Sequence, residues 1–479
     1  MLLSRLLSDV EVLSPFFDRE IADITDSTER IRKNSAFVCV KGMHKDGHSF
    51  ASEAVSSGAA AIIAEHDVNS PLQVIVKDSR KAYAVMCKNF FSSACESLSI
   101  IGVTGTNGKT SVSFIIRDIL KALGVECGLI GTVENAVGKN EYPSKLTTPD
   151  AYEIHRLFSL MKKENIKYCA VEASSQALHQ KRLYGVNVDV AVFTNFTEDH
   201  LDYHKTWENY FEAKKLLFKA CDTAVTNVDN KYGLKIVEGC NCKTVTYGVD
   251  NMKADYTARN VRFSSQGVKY DLIGEKIGRV DCPIPGRFSV YNSLCAISVA
   301  LTLGVDFTDV LEAISKSNGV KGRIEVVPTP NQDYTVIIDY AHSPDGLENI
   351  ISSLKEIANG RVVTVFGCGG DRDKTKRPKM GKIAADLSDF CVVTSDNPRS
   401  ENPSDIIKDI LVGMKDSKTP YEVVENRKEA IAWAMKNAKK DDIILLAGKG
   451  HETYQILPTG TIHFDEREVV AEVLEELNK

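Results

Sequence analysis

The chain contains 479 residues, of which 43% are hydrophobic and 26% are charged, and it has a formal net charge of -6 and a pI of about 6.0. This length exceeds what a single hydrophobic core usually supports, so it predicts two to four domains. The mildly acidic balance creates no general positive field and excludes nonspecific binding of nucleic acid. A nucleotide can still bind to such a protein through a local phosphate loop and metal ions.

The amino terminus and the cysteines predict a cytoplasmic protein. The first nine residues are apolar at helical spacing but are interrupted by Arg5 and Asp9, so they lack the apolar segment of a signal peptide. No run of about 18 uncharged apolar residues predicts a membrane-spanning helix. The 12 cysteines are scattered without a CxxC pair, which is typical of buried thiols in a reducing compartment. We therefore expect no membrane insertion.

Apolar runs and glycine turns predict three α/β segments, at residues 1–96, 97–325 and 326–479. The predicted strands are 36–40, 59–64, 98–103, 168–171, 188–194, 224–227, 335–339, 361–366, 390–394 and 443–447. Helices are predicted at 111–123 and 292–303, and residues 250–285 are expected to be irregular. Alternation of strands and helices in the second segment predicts a doubly wound parallel sheet.

A glycine-rich loop at residues 102–110 (GVTGTNGKT) lies between a predicted strand and a predicted helix. Backbone N–H groups and a helix N-terminus bind phosphate at such a position, where Lys109 would reach the β- and γ-phosphates and Thr110 would bind Mg²⁺. The strict P-loop pattern differs at one position, since Val103 stands where that pattern has glycine. The alternative is a glycine turn with an incidental lysine, but the strand–loop–helix context favours nucleotide binding. The predicted loop contacts are Gly105, Thr106, Asn107, Gly108, Lys109, Thr110 and Ser111.

The TGTNGKT form of this loop resembles the Mur ligases, and further motifs of that family follow in the same order. They are residues 147–149 (TTP), 172–175 (EASS), 195–204 (NFTEDHLDYH), 212–214 (EAK), 322–323 (GR), 339–342 (DYAH), 367–373 (GCGGDRD), 396–399 (DNPR) and 448–452 (GKGHE). The resemblance spans essentially the whole chain and is greatest to the branch of the family that adds diaminopimelate. It implies an α/β protein of three domains: a small N-terminal domain for the UDP-linked substrate, a central P-loop ATPase-like domain and a Rossmann-like C-terminal domain for the amino acid.

The family reaction begins with phosphorylation of a substrate carboxylate by ATP. An amine attacks the resulting acyl phosphate, and ADP and phosphate leave. The resemblance implies that the substrates are UDP-N-acetylmuramoyl-L-alanyl-D-glutamate and meso-diaminopimelate, in peptidoglycan precursor synthesis. It also implies ATP as co-substrate, two Mg²⁺ ions and a monomeric enzyme that binds no nucleic acid.

The family pattern also assigns metal ligands and catalytic residues. Thr110 and Glu172 are expected to bind the first Mg²⁺, because both offer hard oxygen donors. A carbamylated lysine contributes to the second Mg²⁺ site, and Lys214 stands at that position. Without the family pattern, Lys214 beside Lys215 would indicate a solvated lysine on a helix. The expected catalytic residues are Lys109, Glu172, His200 and Lys214.

Two histidines, His200 and His204, are four residues apart, as the zinc-binding histidines of HExxH are. This spacing leaves a zinc hydrolase as an alternative. No glutamate follows the first histidine and no third ligand is evident, so zinc is disfavoured. The resemblance makes His200 a contact of the second Mg²⁺ and leaves His204 with a structural role.

Residues 25–27 and 42–47 resemble the uridine-nucleotide site of the family, although Thr28 stands where these enzymes often have arginine. The expected contacts of the UDP-linked substrate are Thr25, Ser27, Met43, His44, Lys45, Thr147, Thr148, Ser174, Gln180 and Arg182. Hydroxyl, amide and guanidinium groups suit such a polyanion. The remaining expected contacts of ATP are Asn292, Arg323, Asp339 and His342.

The amino-acid site is expected in the third segment. Its expected contacts are Arg372, Asp396, Asn397, Pro398, Arg399, Gly448 and Glu452. Residues 396–399 follow the predicted strand 390–394, at the end of a parallel strand where open α/β sheets bind ligands. Pro398 fixes its own φ and restricts Asn397, which would aim Arg399. The alternative is an Asx-Pro turn with an exposed arginine.

Two further classes of protein share the phosphate loop. Folylpolyglutamate synthases have the same fold and the TGTNGK sequence, but they typically have Gly-Ser after the lysine, where this chain has Thr110 and Ser111. A P-loop GTPase switch would have an NKxD motif for its base, and this chain contains none. Both alternatives are therefore disfavoured.

Overall fold

The structure is a computed structural model that describes residues 1–42, 45–197, 199–264, 266–317 and 319–477. It contains two compact units, of which one comprises residues 1–256 and 295–306 and the other residues 257–294 and 307–479. Both units combine helices with sheets, so the predicted α/β class is confirmed. The three predicted domain ranges stay a prediction. None of the helices in the described ranges is long and apolar enough to cross a membrane.

The first unit begins with a parallel four-stranded sheet in the order β1-β2-β3-β4. Its strands are β1 (Asp23–Thr25), β2 (Ser35–Val38), β3 (Ala59–Ala64) and β4 (Gln73–Ile75), and the helices around it are α1 (Leu3–Leu6), α2 (Ala51–Ser56) and α3 (Ser79–Phe90). Along β3, Ala61 and Ile63 join one hydrophobic cluster while Ile62 and Ala64 join another. Both faces of this strand are therefore buried, which explains its continuous apolar sequence.

A larger sheet follows in the same unit. Its strands are β5 (Ser99–Thr104), β6 (Cys127–Ile130), β7 (Glu134–Val137), β8 (Asn140–Pro143), β9 (Tyr168–Glu172), β10 (Val188–Phe193), β11 (Cys221–Asn227) and β12 (Lys243–Gly248). Its helices are α4 (Lys109–Ala122), α5 (Ala151–Lys163), α6 (Ser175–His179), α7 (Leu201–His204) and α8 (Trp207–Lys215). The order is β12-β11-β10-β5-β9-β6-β7-β8, and the pairs from β12 to β6 are parallel. The predicted parallel sheet is confirmed.

The central position of β5 determines where the phosphate loop lies. This strand pairs with β10 on one side and with β9 on the other. Because the three strands are parallel, their carboxyl ends meet at one edge of the sheet. The loop after β5, the last residue of β9 (Glu172) and Thr194 after β10 are thereby brought together. Helix α4 begins two residues earlier than predicted, at Lys109, directly after the positive-φ residue Gly108.

The expectation that residues 250–285 are irregular is wrong. This segment contains the antiparallel strands β13 (Tyr256–Ser264), β14 (Gly267–Ile273) and β15 (Ile277–Cys282). In β14 the buried side chains Val268, Tyr270 and Leu272 alternate with Lys269 and Asp271, which are more exposed. Alternation with period two is the usual signal of a strand with one buried face, and it is present in the sequence.

Two helices follow these strands, α9 (Arg287–Thr302) and α10 (Phe307–Ser315). Helix α9 was predicted from residue 292 and begins five residues earlier. The second unit then continues with a six-stranded sheet in the order β16-β17-β21-β18-β19-β20. Its strands are β16 (Glu325–Val327), β17 (Thr335–Asp339), β18 (Val362–Phe366), β19 (Phe390–Val393), β20 (Tyr421–Val423) and β21 (Ile443–Ala447). All its pairs are parallel except β16 with β17.

Helices cover both faces of this sheet. They are α11 (Pro344–Lys355), α12 (Lys376–Leu387), α13 (Pro403–Val412), α14 (Arg427–Lys436) and α15 (Glu466–Leu477), and a hairpin is formed by β22 (Tyr454–Leu457) and β23 (Gly460–His463). Ile337 and Leu445 belong to the hydrophobic cluster on one face, and Val336 and Leu446 to the cluster on the other. The loops after β17, β19 and β21 leave the same edge of the sheet, and they carry most of the residues predicted to bind ligands in this unit.

Candidate active site

The phosphate loop packs tightly against the segment that follows β10. Gly105 has φ 152° and Gly108 has φ 85°, a region that favours glycine. A Cβ atom on Gly105 would lie 1.9 Å from Thr194 Oγ1. Next to it, the N–H of Thr106 donates to Asn195 O at 2.9 Å, and the N–H of Asn107 donates to Asn195 Oδ1 at 2.9 Å. The shape of the loop therefore depends on glycine at position 105.

The side chain of Lys109 lies over this loop. Its Nζ donates to the carbonyl oxygens of Gly105 at 2.9 Å and Thr106 at 2.8 Å. Lys109 is also the first residue of α4, whose N-terminal N–H groups have no carbonyl partner within the helix. An ammonium group and the N-terminal N–H groups of a helix thus meet at one place, which is an arrangement that binds phosphate. The seven loop residues predicted from the sequence lie together here.

Glu172, at the end of β9, is completely buried among hydroxyl groups. Its Oε2 accepts hydrogen bonds from Thr110 Oγ1 and from Thr132 Oγ1, both at 2.9 Å, and its Oε1 accepts from the N–H of Thr132 at 2.9 Å. One carboxylate and two hydroxyls are hard oxygen donors of the kind that Mg²⁺ prefers, so this group fits a magnesium site. Thr132 was not predicted from the sequence, although its position just after the apolar strand β6 was a usable signal.

Lys214, on α8, is 1% exposed, so it is not the solvated lysine that the EAK motif alone would indicate. Its Nζ donates to Gly105 O at 2.7 Å and lies 4.7 Å from the centroid of the Tyr210 ring. Burial, together with the nearby ammonium of Lys109, lowers the pKa of Lys214 well below its ordinary value. A neutral amine at this position can react with carbon dioxide.

The two histidines have different surroundings. His200 is partly exposed, with Nε2 3.5 Å from Asp199 Oδ2 and its ring centroid 5.9 Å from that of Tyr210. His204 is buried, and its Nε2 lies 2.9 Å from Ser175 Oγ, a contact that suits the structural role expected for it. Tyr210 was not predicted, yet its ring lies near Lys214 and both histidines. Within the described ranges, no group of three His, Cys, Asp or Glu side chains is arranged to hold a metal ion.

Five residues predicted to contact the UDP-linked substrate form a chain of hydrogen bonds beside Glu172. The hydroxyl oxygens of Thr147 and Thr132 lie 3.1 Å apart, within hydrogen-bond distance. Thr148 Oγ1 donates to the backbone oxygen of Glu172 at 2.6 Å and accepts from the N–H of Ser174 at 3.0 Å. The guanidinium of Arg182 donates to the backbone oxygen of Thr148 and, at 2.8 Å, to the side-chain oxygen of Gln180. These polar groups and Glu172, the proposed magnesium ligand, therefore lie together at the carboxyl edge of the large sheet.

Of the residues predicted to contact the uridine end of the substrate, Thr25 lines a separate cavity at the N-terminal sheet. Thr25 Oγ1 accepts from the N–H of Ser27 at 3.0 Å, and Thr25 lines a cavity of about 320 Å³ together with Arg30, Arg32 and Tyr152. Lys45 Nζ lies 5.9 Å from the ring of Phe50. Met43 and His44 lie outside the described residues.

Arg30 stands two residues after Thr28, the position that departs from the family pattern. Its guanidinium donates to Asp26 Oδ1 at 2.6 Å and to Asp150 Oδ2 at 3.2 Å. An arginine is thus present at this cavity despite the departure. It connects the strand-end segment 25–27 with the start of α5, directly after Thr147 and Thr148.

In the second unit, three of the four residues predicted to bind the rest of ATP surround Tyr340. The guanidinium of Arg323 lies 4.9 Å from the Tyr340 ring centroid, and the His342 ring lies 4.5 Å from it. Asp339, the last residue of β17, accepts from the N–H groups of Ile324 at 2.9 Å and Ala341 at 2.8 Å. Burial raises the pKa of Asp339. Asn292 is half-buried on α9.

The residues predicted to bind the amino acid meet in the loops after β19 and β21. Asn397 Nδ2 donates to Glu452 Oε2 at 2.8 Å. Arg399 has φ 53°, and its Nη1 donates to Gly370 O at 2.9 Å. Asp396, Asn397 and Pro398 are buried, Gly448 has φ 117°, and Arg372 is exposed on the loop after β18. Lys449, which was not predicted, is completely buried within this group.

Comparisons with known proteins agree with these motifs. Residues 103–300 match the Mur ligase middle domain, and residues 322–450 match the Mur ligase glutamate ligase domain. Over 484 residues, covering 100% of both chains, the sequence is 44% identical to UDP-N-acetylmuramoyl-L-alanyl-D-glutamate–2,6-diaminopimelate ligase 1 of Clostridium acetobutylicum. A solved structure of a ligase with the same name, apart from the numeral, has a TM-score of 0.75 and 30% identity over 96% of each chain.

A third comparison concerns the fold alone. The MurF ligase of Thermotoga maritima, solved in complex with ADP, has a TM-score of 0.60 and 20% identity to this chain, over 95% of this chain and 97% of that one.

Replacing Gly105 with alanine is expected to weaken nucleotide binding. The added Cβ would meet Thr194 Oγ1, and φ 152° is strained for alanine, at a cost of about 1–3 kcal/mol. Since about 1.4 kcal/mol corresponds to tenfold in affinity, Gly105→Ala should bind ATP at least about tenfold more weakly by isothermal titration calorimetry. Gly124→Ala is the matched control, because Gly124 has φ 72° but no atom within 4 Å of its Cβ position. If both variants bind ATP equally well, Gly105 does not belong to the nucleotide-binding loop.

Proposed function

Because this chain belongs to the Mur ligase family, we propose that it is an ATP-dependent ligase that adds meso-diaminopimelate to UDP-N-acetylmuramoyl-L-alanyl-D-glutamate. The products are the UDP-muramoyl tripeptide, ADP and phosphate, in peptidoglycan precursor synthesis. The observation that carries the proposal is the full-length identity to relatives of that name, combined with the phosphate loop whose Thr110 hydroxyl contacts the buried Glu172 carboxylate. We further propose that the enzyme acts as a cytoplasmic monomer.

The phosphate loop and its lysine support the first chemical step. Transfer of the γ-phosphoryl group to a carboxylate brings together negative charges, and a protein accelerates it chiefly by positioning and by charge neutralisation. Lys109 and the N-terminus of α4 are proposed to supply positive charge and hydrogen-bond donors around the phosphates. In the second unit, Asn292, Arg323, Asp339 and His342 are proposed to bind the rest of the nucleotide.

Two Mg²⁺ ions are proposed as cofactors. Thr110 and Glu172 fit the first site, and Lys214 as a carbamate with His200 would serve the second. Bound Mg²⁺ neutralises phosphate charge and polarises the phosphoryl oxygens. The buried Glu172 is held in place by Thr132, so the chain itself fixes the orientation of this carboxylate.

Carbamylation of Lys214 is proposed from its surroundings. In this reaction the neutral amine attacks carbon dioxide, an N–C bond forms and one proton is released. Burial beside Lys109 lowers the pKa of Lys214, which favours the neutral amine that this reaction requires. The product replaces a buried amine by an anionic oxygen ligand next to the ammonium of Lys109. The negative charge of the carbamate on Lys214 attracts the ammonium of Lys109, so carbamylation stabilises both side chains.

The UDP-linked substrate and the amino acid are proposed to bind to the residues predicted for them. Thr147, Thr148, Ser174, Gln180 and Arg182 lie beside the Glu172 carboxylate, where a substrate carboxylate must meet the phosphate. Thr25, Ser27 and Lys45 are proposed for the uridine end of the same substrate. In the second unit, Arg399 is proposed to pair with the second carboxylate of diaminopimelate.

The function is tested by one assay. Purified protein is incubated with ATP, Mg²⁺ and UDP-N-acetylmuramoyl-L-alanyl-D-glutamate, with meso-diaminopimelate, L-lysine or L-glutamate added separately. We expect ADP release that requires both the UDP-linked substrate and meso-diaminopimelate, with the tripeptide detected by mass spectrometry. ATP hydrolysis that needs neither substrate would instead indicate a nucleotide-dependent switch.

Lys214→Ala is expected to lose activity by about 100-fold or more, because the loss of a group that stabilises charge in phosphoryl transfer has costs of that size. Added acetate should restore part of the activity by replacing the carbamate oxygens. In protein equilibrated with ¹³C-bicarbonate, a carbamate resonance should appear by NMR and be absent from Lys214→Ala. The control is Lys215→Ala, on the next residue of α8, which should retain activity and resonance. A fully active wild-type protein without the resonance would refute the carbamate.

Arg399→Ala is expected to raise the KM for meso-diaminopimelate by about 10- to 100-fold, because a charge-assisted pair with a carboxylate is worth about 1.5–3 kcal/mol. The KM values for ATP and for the UDP-linked substrate should stay within about twofold of wild type, since such a small factor is well under 1 kcal/mol. Arg399→Lys should recover little, because an ammonium does not reproduce the planar guanidinium fork. Arg279→Ala, which removes an exposed arginine of the β15 strand, is the control. Equal use of L-lysine and diaminopimelate by the wild-type protein would disprove this role of Arg399.

A further inference from the structure

Lys449 is a lysine whose side chain is completely buried in the loop after β21. It lies between Gly448, with φ 117°, and Gly450, with φ 54°, so the loop turns sharply on both sides of it. An ammonium group withdrawn from water is costly unless anionic or polar partners surround it. The partners of Lys449 therefore indicate what this residue does.

Those partners are three of the residues proposed to bind the amino acid. Lys449 Nζ lies 3.1 Å from Glu452 Oε2, 3.2 Å from Asn397 Oδ1 and 3.7 Å from Asp396 Oδ1. Glu452 is 14% and Asp396 is 9% exposed at the side chain, so the charges interact with little screening by solvent. The buried ammonium thus holds two carboxylates and an amide in one cluster.

The hydrogen bonds of Asn397 show how the cluster is oriented. Its Oδ1 accepts from Lys449 and, at 3.0 Å, from the N–H of Ile456, while its Nδ2 donates to Glu452 Oε2 at 2.8 Å. Because Lys449 has only donors, it requires the oxygen of the amide on its own side. The amide nitrogen is then directed to Glu452, and the orientation of both side chains follows from the position of the ammonium.

The charges of the cluster indicate which ligand it suits. Asp396 and Glu452 carry two negative charges and Lys449 carries one positive charge, so the cluster has a net charge of -1. Among the described residues, Asp396 Oδ1 is a buried oxygen without a hydrogen-bond donor. This net charge matches one incoming ammonium group, and the neighbouring Arg399 matches one carboxylate. A zwitterionic amino-acid end therefore satisfies the site.

We propose that Lys449 is a positioning residue that sets the net charge of this cluster and thereby makes the site selective for a zwitterionic end over a cationic one. The inference deepens the proposed function and rests on it. The distal end of diaminopimelate carries an ammonium and a carboxylate, whereas that of L-lysine carries only an ammonium. Without Lys449 the cluster would have a net charge of -2, which favours the additional positive charge of L-lysine.

The test uses Lys449→Met, which removes the charge and keeps much of the volume, and Lys449→Gln, which retains a hydrogen-bond donor. For each variant, kcat and KM are measured with meso-diaminopimelate and with L-lysine, along with the KM values for ATP and the UDP-linked substrate. We expect the KM for diaminopimelate to rise at least about tenfold in Lys449→Met, as when one partner of a buried charge cluster is lost. The ratio of kcat/KM for diaminopimelate to kcat/KM for L-lysine should fall at least about tenfold, and Lys449→Gln should show smaller changes of the same sign.

Arg361→Met is the matched control, because Arg361 also pairs with a buried carboxylate, that of Asp442, but at the opposite ends of strands β18 and β21. It should lower stability without changing the selectivity ratio. An unchanged ratio in folded Lys449 variants would overturn the inference while leaving the proposed function intact. Failure of both Lys449 variants to fold, with Arg361→Met folded, would make Lys449 a structural residue and also overturn it. Wild-type protein that does not ligate diaminopimelate would refute the proposed function itself.

Discussion

The backbone oxygen of Gly105 accepts hydrogen bonds from both Lys109 and Lys214, and the arrangement of the first unit depends on this contact. It connects the phosphate loop to α8 across more than a hundred residues of sequence. Lys214 is the more deeply buried of the two lysines, and its removal from water beside the ammonium of Lys109 lowers its pKa. The contact with Gly105 thus places Lys214 at the phosphate loop, next to Lys109.

Both units position polar groups in the same way. Parallel strands end at one edge of the sheet, and the residues that follow them are brought together from distant parts of the chain. In the first unit this edge collects the glycine loop, Glu172 and the hydroxyl groups around it. In the second unit it collects the loops after β19 and β21, which carry Asn397 and Lys449. Glycines with positive φ at these edges let the backbone approach closely enough for the contacts to form.

Each of the two sheet edges contains a buried charged side chain whose charge is compensated by polar neighbours. At Glu172, the hydroxyl groups of Thr110 and Thr132 and one backbone N–H satisfy the carboxylate. At Lys449, two carboxylates and an amide satisfy the ammonium. Groups held in this way keep a fixed orientation, because any rotation would leave a buried polar atom without a partner. Such fixed orientations suit the phosphoryl transfer and the amino-acid selectivity proposed for this protein.

The sequence by itself determined the α/β class, the positions of ten of the 23 strands in the described residues, the phosphate loop and the family, because apolar periodicity and ordered motifs are local features. It also placed the phosphate loop, Glu172 and residues 396–399 at the ends of predicted strands. It did not predict Thr132, Tyr210 or Lys449, and the antiparallel strands within 250–285 were missed although their alternation was present. Only the tertiary structure decided that Lys214 is buried rather than solvated and that Lys449 lies between two carboxylates. Burial and charge compensation depend on atoms that distant segments bring together, and no local pattern specifies them.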